Sequence, residues 1–126
     1  MNNKELVIKL VDLQVDLVKY VEKHTNLKCK THRDFDRVIT SNKLTCTYSL
    51  AVKNLYNNAV KFIPGYAFNT ELLDEIVKLK NEVENSELKD LRFGLEPQHK
   101  FSEEERKLDT LMLQHKLNYF SCWNDK

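Results

Sequence analysis

The stretch NLKCKTHRDFDR, residues 26–37, holds the densest set of reactive side chains in the chain. Cys29 and His32 form a C-x-x-H pair, the spacing with which many zinc sites begin. His24 and Cys46 are the residues available to complete a tetrahedron of thiolates and imidazoles. Each of those two stands alone, with no second paired spacing, so the pattern is half a site. The favoured reading is a basic loop entering a short helix, with a cysteine of ordinary packing character beside a solvated histidine. No metal and no cofactor is expected.

Carboxylates are the next candidates. Glu71 and Glu75 lie four apart, as do Glu105 and Asp109, so each pair shares a helix face. Helical nucleotide pyrophosphatases hold magnesium with acids three and four apart behind a Glu-Glu pair, and these spacings do not reproduce that pattern. Both pairs fall in the first turns of helices, where the helix dipole alone favours acids. With two glycines in the whole chain, neither a phosphate loop nor a nucleophile elbow can be built. His32-Arg33-Asp34 echoes the kinase catalytic loop without the parts a kinase also needs. No catalytic residue is assigned, and the chain is read as a non-enzyme.

Two binding chemistries remain. Lys19, Lys23, Lys28, Lys30, Arg33 and Arg37 gather cations near Tyr20 and Phe35, the composition of a phosphate-contacting surface. A short helix at 31–40 followed by a longer one would give a helix-turn-helix-like pair. The second helix offers only sparse lysines with Asn54, Asn57 and Asn58, and a pI near 7.7 is low for a dedicated nucleic-acid domain. The other chemistry is protein contact. Tyr56, Tyr66, Phe68, Tyr119, Phe120 and Trp123 exceed what one stripe per helix can bury, and aromatics at edges mark interfaces.

The elements that would position these groups are helical. Two glycines and two prolines are too few for the turns of an all-β fold. In NKELVIKLVDLQVDLVKYVEKH, Leu6, Leu10, Leu13, Leu17 and Tyr20 repeat at 4, 3, 4 and 3, flanked by Val7, Val11, Val18 and Val21. So broad an apolar face predicts burial on more than one side, in a bundle core or at an oligomer interface. Residues 25–30 read as a loop. Thr31 then caps a short helix anchored by Phe35, Val38 and Ile39. A third helix over about 45–62 lines up Tyr48, Val52, Leu55, Ala59 and Phe62, and Pro64 stops it. A fourth spans about 71–92 on Leu72, Ile76, Leu79 and Val83; Asn-Ser-Glu at 85–87 is a place for it to kink or split, and Gly94 is its C′ residue. The fifth opens on a capping box, Ser102 with Glu105, and continues through Leu108, Leu111, Met112, His115 and Tyr119.

The expected fold is therefore a single all-α domain over residues 1–126, a compact bundle of about five helices. The alternative is α+β with a small hairpin near residues 37–50, where RVITSNKLTCTYSL has enough β-branched residues around a Ser-Asn turn.

Charge is divided along the chain. Residues 1–65 carry 11 Lys and Arg against 6 Asp and Glu; residues 66–126 carry 9 against 13. The favoured explanation is that the two halves attract each other within the fold. Three cysteines, no secretory leader and no apolar run near the ~20 residues of a membrane span predict a reducing, cytoplasmic setting.

The function expected is a small cytoplasmic, non-catalytic protein acting through protein–protein interaction, as an inhibitor or adaptor. Its size and its 16 lysines and 12 asparagines resemble the texture of viral and phage accessory proteins. The residues assigned to protein binding are Leu13, Leu17, Tyr119, Phe120 and Trp123, with a homo-oligomer through the first helix as one form of partner. The alternative is nucleic-acid binding through residues 19–37, with Lys23, Lys28, Lys30, Arg33 and Arg37 as the contacts. No membrane partner is expected.

Overall fold

A computed structural model gives the architecture, described here over residues 2–24, 45–63, 70–94 and 100–120. Four α-helices dominate it: α1 (Asn3–His24), α2 (Tyr48–Phe62), α3 (Thr70–Glu84) and α4 (Glu103–Phe120). A short 3₁₀ turn, Glu87–Asp90, follows α3. Two three-residue strands, β1 (Thr45–Thr47) and β2 (Arg92–Gly94), pair antiparallel, with Cys46 opposite Phe93. The fold is an all-α bundle, as expected, with one small β-ladder. The predicted helix at 31–40 and most of the predicted hairpin at 37–50 lie outside the described residues.

The centre of the bundle is α1. Asn2 caps it, its side-chain oxygen accepting from the Glu5 N–H at 2.8 Å. Leu6, Leu10, Leu13 and Leu17 are buried, and so are Val7, Val11, Val15, Val18 and Val21. The helix turns only a narrow stripe outward, in which Glu5, Asp16, Lys19 and Lys23 are exposed. This settles the choice posed by its wide apolar face: that face is the bundle core. Helices α3 and α4 both rest on α1, and α2 packs chiefly on α3. Leu55, Ala59, Ile76, Leu79, Leu88, Leu108 and Met112 complete one buried cluster with it.

The sequence places the third helix three residues early. Residues 45–47 are extended, because they pair with Arg92–Gly94, and Thr47 becomes the cap, accepting from the Leu50 N–H at 3.1 Å. The fourth helix does split where Asn-Ser-Glu stands. It ends at Glu84, and Ser86 caps the 3₁₀ turn by accepting from Leu88 at 3.2 Å. Gly94 is consequently no helix C′ residue. It closes β2 with φ of 128°, a conformation open to glycine. Tyr48 staples the ladder to the core: its ring is fully buried, 4.6 Å from that of Phe93, and its N–H donates to Leu91.

The opposite charges of the two halves do meet. Lys9 reaches Glu75 at 3.2 Å and Lys53 reaches Glu84 at 3.9 Å, each joining the basic half to the acidic half. Among the described residues no helix is long and apolar enough to cross a membrane.

Candidate binding surface

Helix α4 is the edge of the bundle. Its start is the capping box read from the sequence: Glu105 N–H donates to Ser102 Oγ at 3.1 Å, and Ser102 N–H donates to Glu105 Oε1 at 2.8 Å. The second oxygen of Glu105 accepts from the Arg92 N–H at 2.6 Å. One buried carboxylate thus ties the helix start to strand β2. From that anchor, the helical period sets which side chains meet α1. Leu108 and Met112 are buried against it, with His115 and Tyr119 following on the same side.

The far end of this contact is a clasp. Asp12 Oδ1 on α1 is 2.7 Å from His115 Nε2 and 2.7 Å from the Tyr119 hydroxyl, which donates to it. The Lys19 ammonium lies over the Tyr119 ring at 5.7 Å, and the His115 and Tyr119 rings meet edge to face. Donation to the Asp12 carboxylate is the main cause that pushes the Tyr119 phenol up to about 12. Asp16, one turn along α1, is exposed, but partial desolvation by its neighbours pushes it above the ordinary carboxylate range, with Lys19 opposing. Burial likewise raises Asp109, against the pull of Lys116. The cluster joins two helices through one carboxylate oxygen. Among the described residues no group of three or more His, Cys, Asp or Glu is arranged to hold a metal ion.

On the other side of α4, Leu113 and Leu117 stand 51% and 52% exposed, one turn apart. Below them, towards the helix start, an open groove of about 380 Å³ runs between α4 and the N-terminal end of α1. Leu108 and Leu111 contribute its apolar lining, with Lys4, Glu104, Arg106, Lys107, Thr110 and Gln114 around them. A second groove, of about 440 Å³, lies between α1 and α3 and carries Asp16, Glu71 and Glu75 beside Lys9. The Glu71 and Glu75 pair singled out in the sequence therefore lies on a groove, with Glu75 already paired to Lys9.

The residues assigned from the sequence separate. Leu13 and Leu17, assigned to protein binding, are 3% and 0% exposed and belong to the core, so they offer no free surface. Tyr119 is 38% exposed but faces the α1 clasp. Phe120 is the last residue of α4, and Trp123 lies outside the described residues. Of the basic stretch, Lys23 is exposed in the last turn of α1; Lys28, Lys30, Arg33 and Arg37 lie outside the described residues. Of the half metal site, His24 ends α1 with its ring 4.3 Å from that of Tyr20, and Cys46 is in β1; Cys29 and His32 lie outside.

Leu113 and Leu117 were missed by reading one apolar face per helix. The signal was present as a second row, Arg106, Thr110, Leu113 and Leu117, at spacings of 4, 3 and 4. No family model, no curated protein and no solved structure matches this chain.

Proposed function

We propose that this chain is a small cytoplasmic binding protein without catalytic activity, an inhibitor or adaptor that docks another protein on the outward face of α4. The observation that carries the reading is the pair Leu113 and Leu117, half-exposed and adjacent on the helix at the edge of the bundle. Single exposed apolar residues are normal on any protein; neighbouring ones on one helix face make a patch. Covering the remaining half of each leucine is worth roughly 1 kcal/mol. That is roughly a fivefold gain in affinity each. Two leucines alone would hold a partner weakly, so the contact must extend over more of α4.

Nucleic-acid binding through Lys23, Lys28, Lys30, Arg33 and Arg37 gains no specific support among the described residues. Lys19, the neighbouring cation, is held over Tyr119.

The test is site-specific photo-crosslinking in cells, with benzoylphenylalanine at position 113, 117 or, as a control, at exposed Lys89 on the 3₁₀ turn. The reading expects one discrete protein adduct from 113 and from 117, and none from 89. Identical adduct patterns at all three positions would overturn it.

A further inference from the structure

We infer that the partner docked on the outward face of α4 is a second copy of this chain, its own α4 lying antiparallel across the first; this rests on the docking reading above and names the partner. The face is a row of four exposed residues, Arg106, Thr110, Leu113 and Leu117, at the 4-3-4 spacing of a coiled-coil seam. It is separate from the row Glu105, Leu108 and Met112, which the fold buries. In heptad positions Arg106 and Leu113 stand at d, and Thr110 and Leu117 at a. Asp109 and Lys116 therefore fall at g, and Lys107 and Gln114 at e, the positions that choose a partner and its direction.

Those flanks are complementary to their own reverse. Asp109 is half-buried and makes no hydrogen bond or ion pair among the described residues; the cation that pulls on it is Lys116, two turns along the same helix. In an antiparallel pair the layer of Thr110 against the second Leu113 brings the g positions face to face. Asp109 of each copy then meets Lys116 of the other, twice by symmetry. On the e flank Lys107 faces Gln114, so no like charges meet there, and Lys107 already holds Glu103 at 3.2 Å. Leu117 packs on the stem of Arg106, whose charged head stays in water. A parallel pair would instead stack Arg106 on Arg106 and leave Asp109 beside Gln114.

Symmetry also extends the contact beyond two leucines. Every interaction is used twice, giving four leucines and two ion pairs along the roughly 17 Å from Arg106 to Leu117. Such a face is small beside those of permanent dimers, so the association expected is reversible and of micromolar strength or weaker.

Sedimentation of the full chain from about 1 μM to about 1 mM, the span in which weak dimers dissociate, tests this. The parent should form a dimer that dissociates on dilution. Asp109→Lys or Lys116→Asp alone should weaken it roughly tenfold through like-charge contact. Mixed in equal amounts, those two variants should pair at a concentration where each alone is monomeric, because every g contact then joins opposite charges. Leu113→Asp with Leu117→Asp should leave a monomer, shown by circular dichroism to be folded. A monomer throughout, a dimer that survives the paired leucine substitutions, or a mixture no tighter than its components would overturn the inference. Photo-crosslinking separates that failure from failure of docking itself. The inference expects adducts from 113 and 117 at twice the mass of the chain. A discrete adduct with a different protein would overturn it while leaving docking on α4 intact, and absence of any discrete adduct from both positions would remove both.

Discussion

Helices α1 and α4 lie side by side and are both amphipathic, yet they use their leucines differently. α1 buries leucine and valine around most of its circumference and turns only a narrow charged stripe outward. α4 buries Leu108 and Met112 on one side and leaves Leu113 and Leu117 half-exposed on another. In α1 the apolar area is consumed by folding. In α4 part of it remains unspent and is available for association. The difference follows from position: α1 receives helices on more than one side, whereas the chief helical neighbour of α4 is α1 itself. An apolar residue therefore reports function only after the fold has shown whether a neighbour covers it.

The largest effect should come from α1. Leu17→Ala removes a fully buried side chain from the middle of the core and should cost about 2–5 kcal/mol. Denaturant unfolding checks this, and a loss under about 1 kcal/mol would mean that the centre of the bundle is elsewhere. Glu105→Ala should come next, at roughly 2 kcal/mol. It removes the capping box and leaves the Arg92 N–H without its carboxylate partner. Glu105→Gln keeps one acceptor oxygen and should recover part of the loss.

Smaller effects lie at the seam between the two helices. The Tyr119 phenol is raised to about 12 from 10.0, chiefly by its bond to Asp12. A raised value means that the folded state holds this proton more tightly than the unfolded chain. The stabilisation is complete below pH 10 and is lost as pH rises through about 12. In an NMR titration the Tyr119 ring should begin to lose its proton only as pH approaches about 12, and Asp12→Asn should lower that midpoint. Asp109 gives a weaker effect of opposite value to the protein. Burial raises its carboxyl, so its favourable contribution is present below pH 3.8 and is lost as pH rises through the raised folded value. Asp109→Asn should raise the unfolding midpoint slightly at pH 7 and leave it unchanged near pH 3.

Most of the helices were legible in the sequence, for physical reasons particular to each. In α1 the 4-3-4 repeat of Leu6, Leu10, Leu13 and Leu17 is long enough to fix both type and face. For α4, Ser102 and Glu105 announce the start chemically. The β-ladder was not legible. Thr45–Thr47 finds its partner at Arg92–Gly94, far along the chain, and three residues are too few to show a period of two. Its consequences spread locally, shifting the start of α2 and giving Gly94 a strand role.

The candidate site was less legible than the fold. Leu13 and Leu113 belong to the same residue type on equally helical sequence, and only packing separates core from surface. The Asp12, His115 and Tyr119 clasp joins positions more than 100 residues apart, which no local pattern foretells.

The central claim is that the outward leucines of α4 are spare to the fold. The most direct measurement is the unfolding free energy of the Leu113→Asp, Leu117→Asp double variant, taken beside Leu17→Ala under the same conditions. The account predicts that the double variant stays within about 1 kcal/mol of the parent, since each exposed site contributes at most about 0.5 kcal/mol. A loss as large as that of Leu17→Ala would contradict it, because those leucines would then be part of the core.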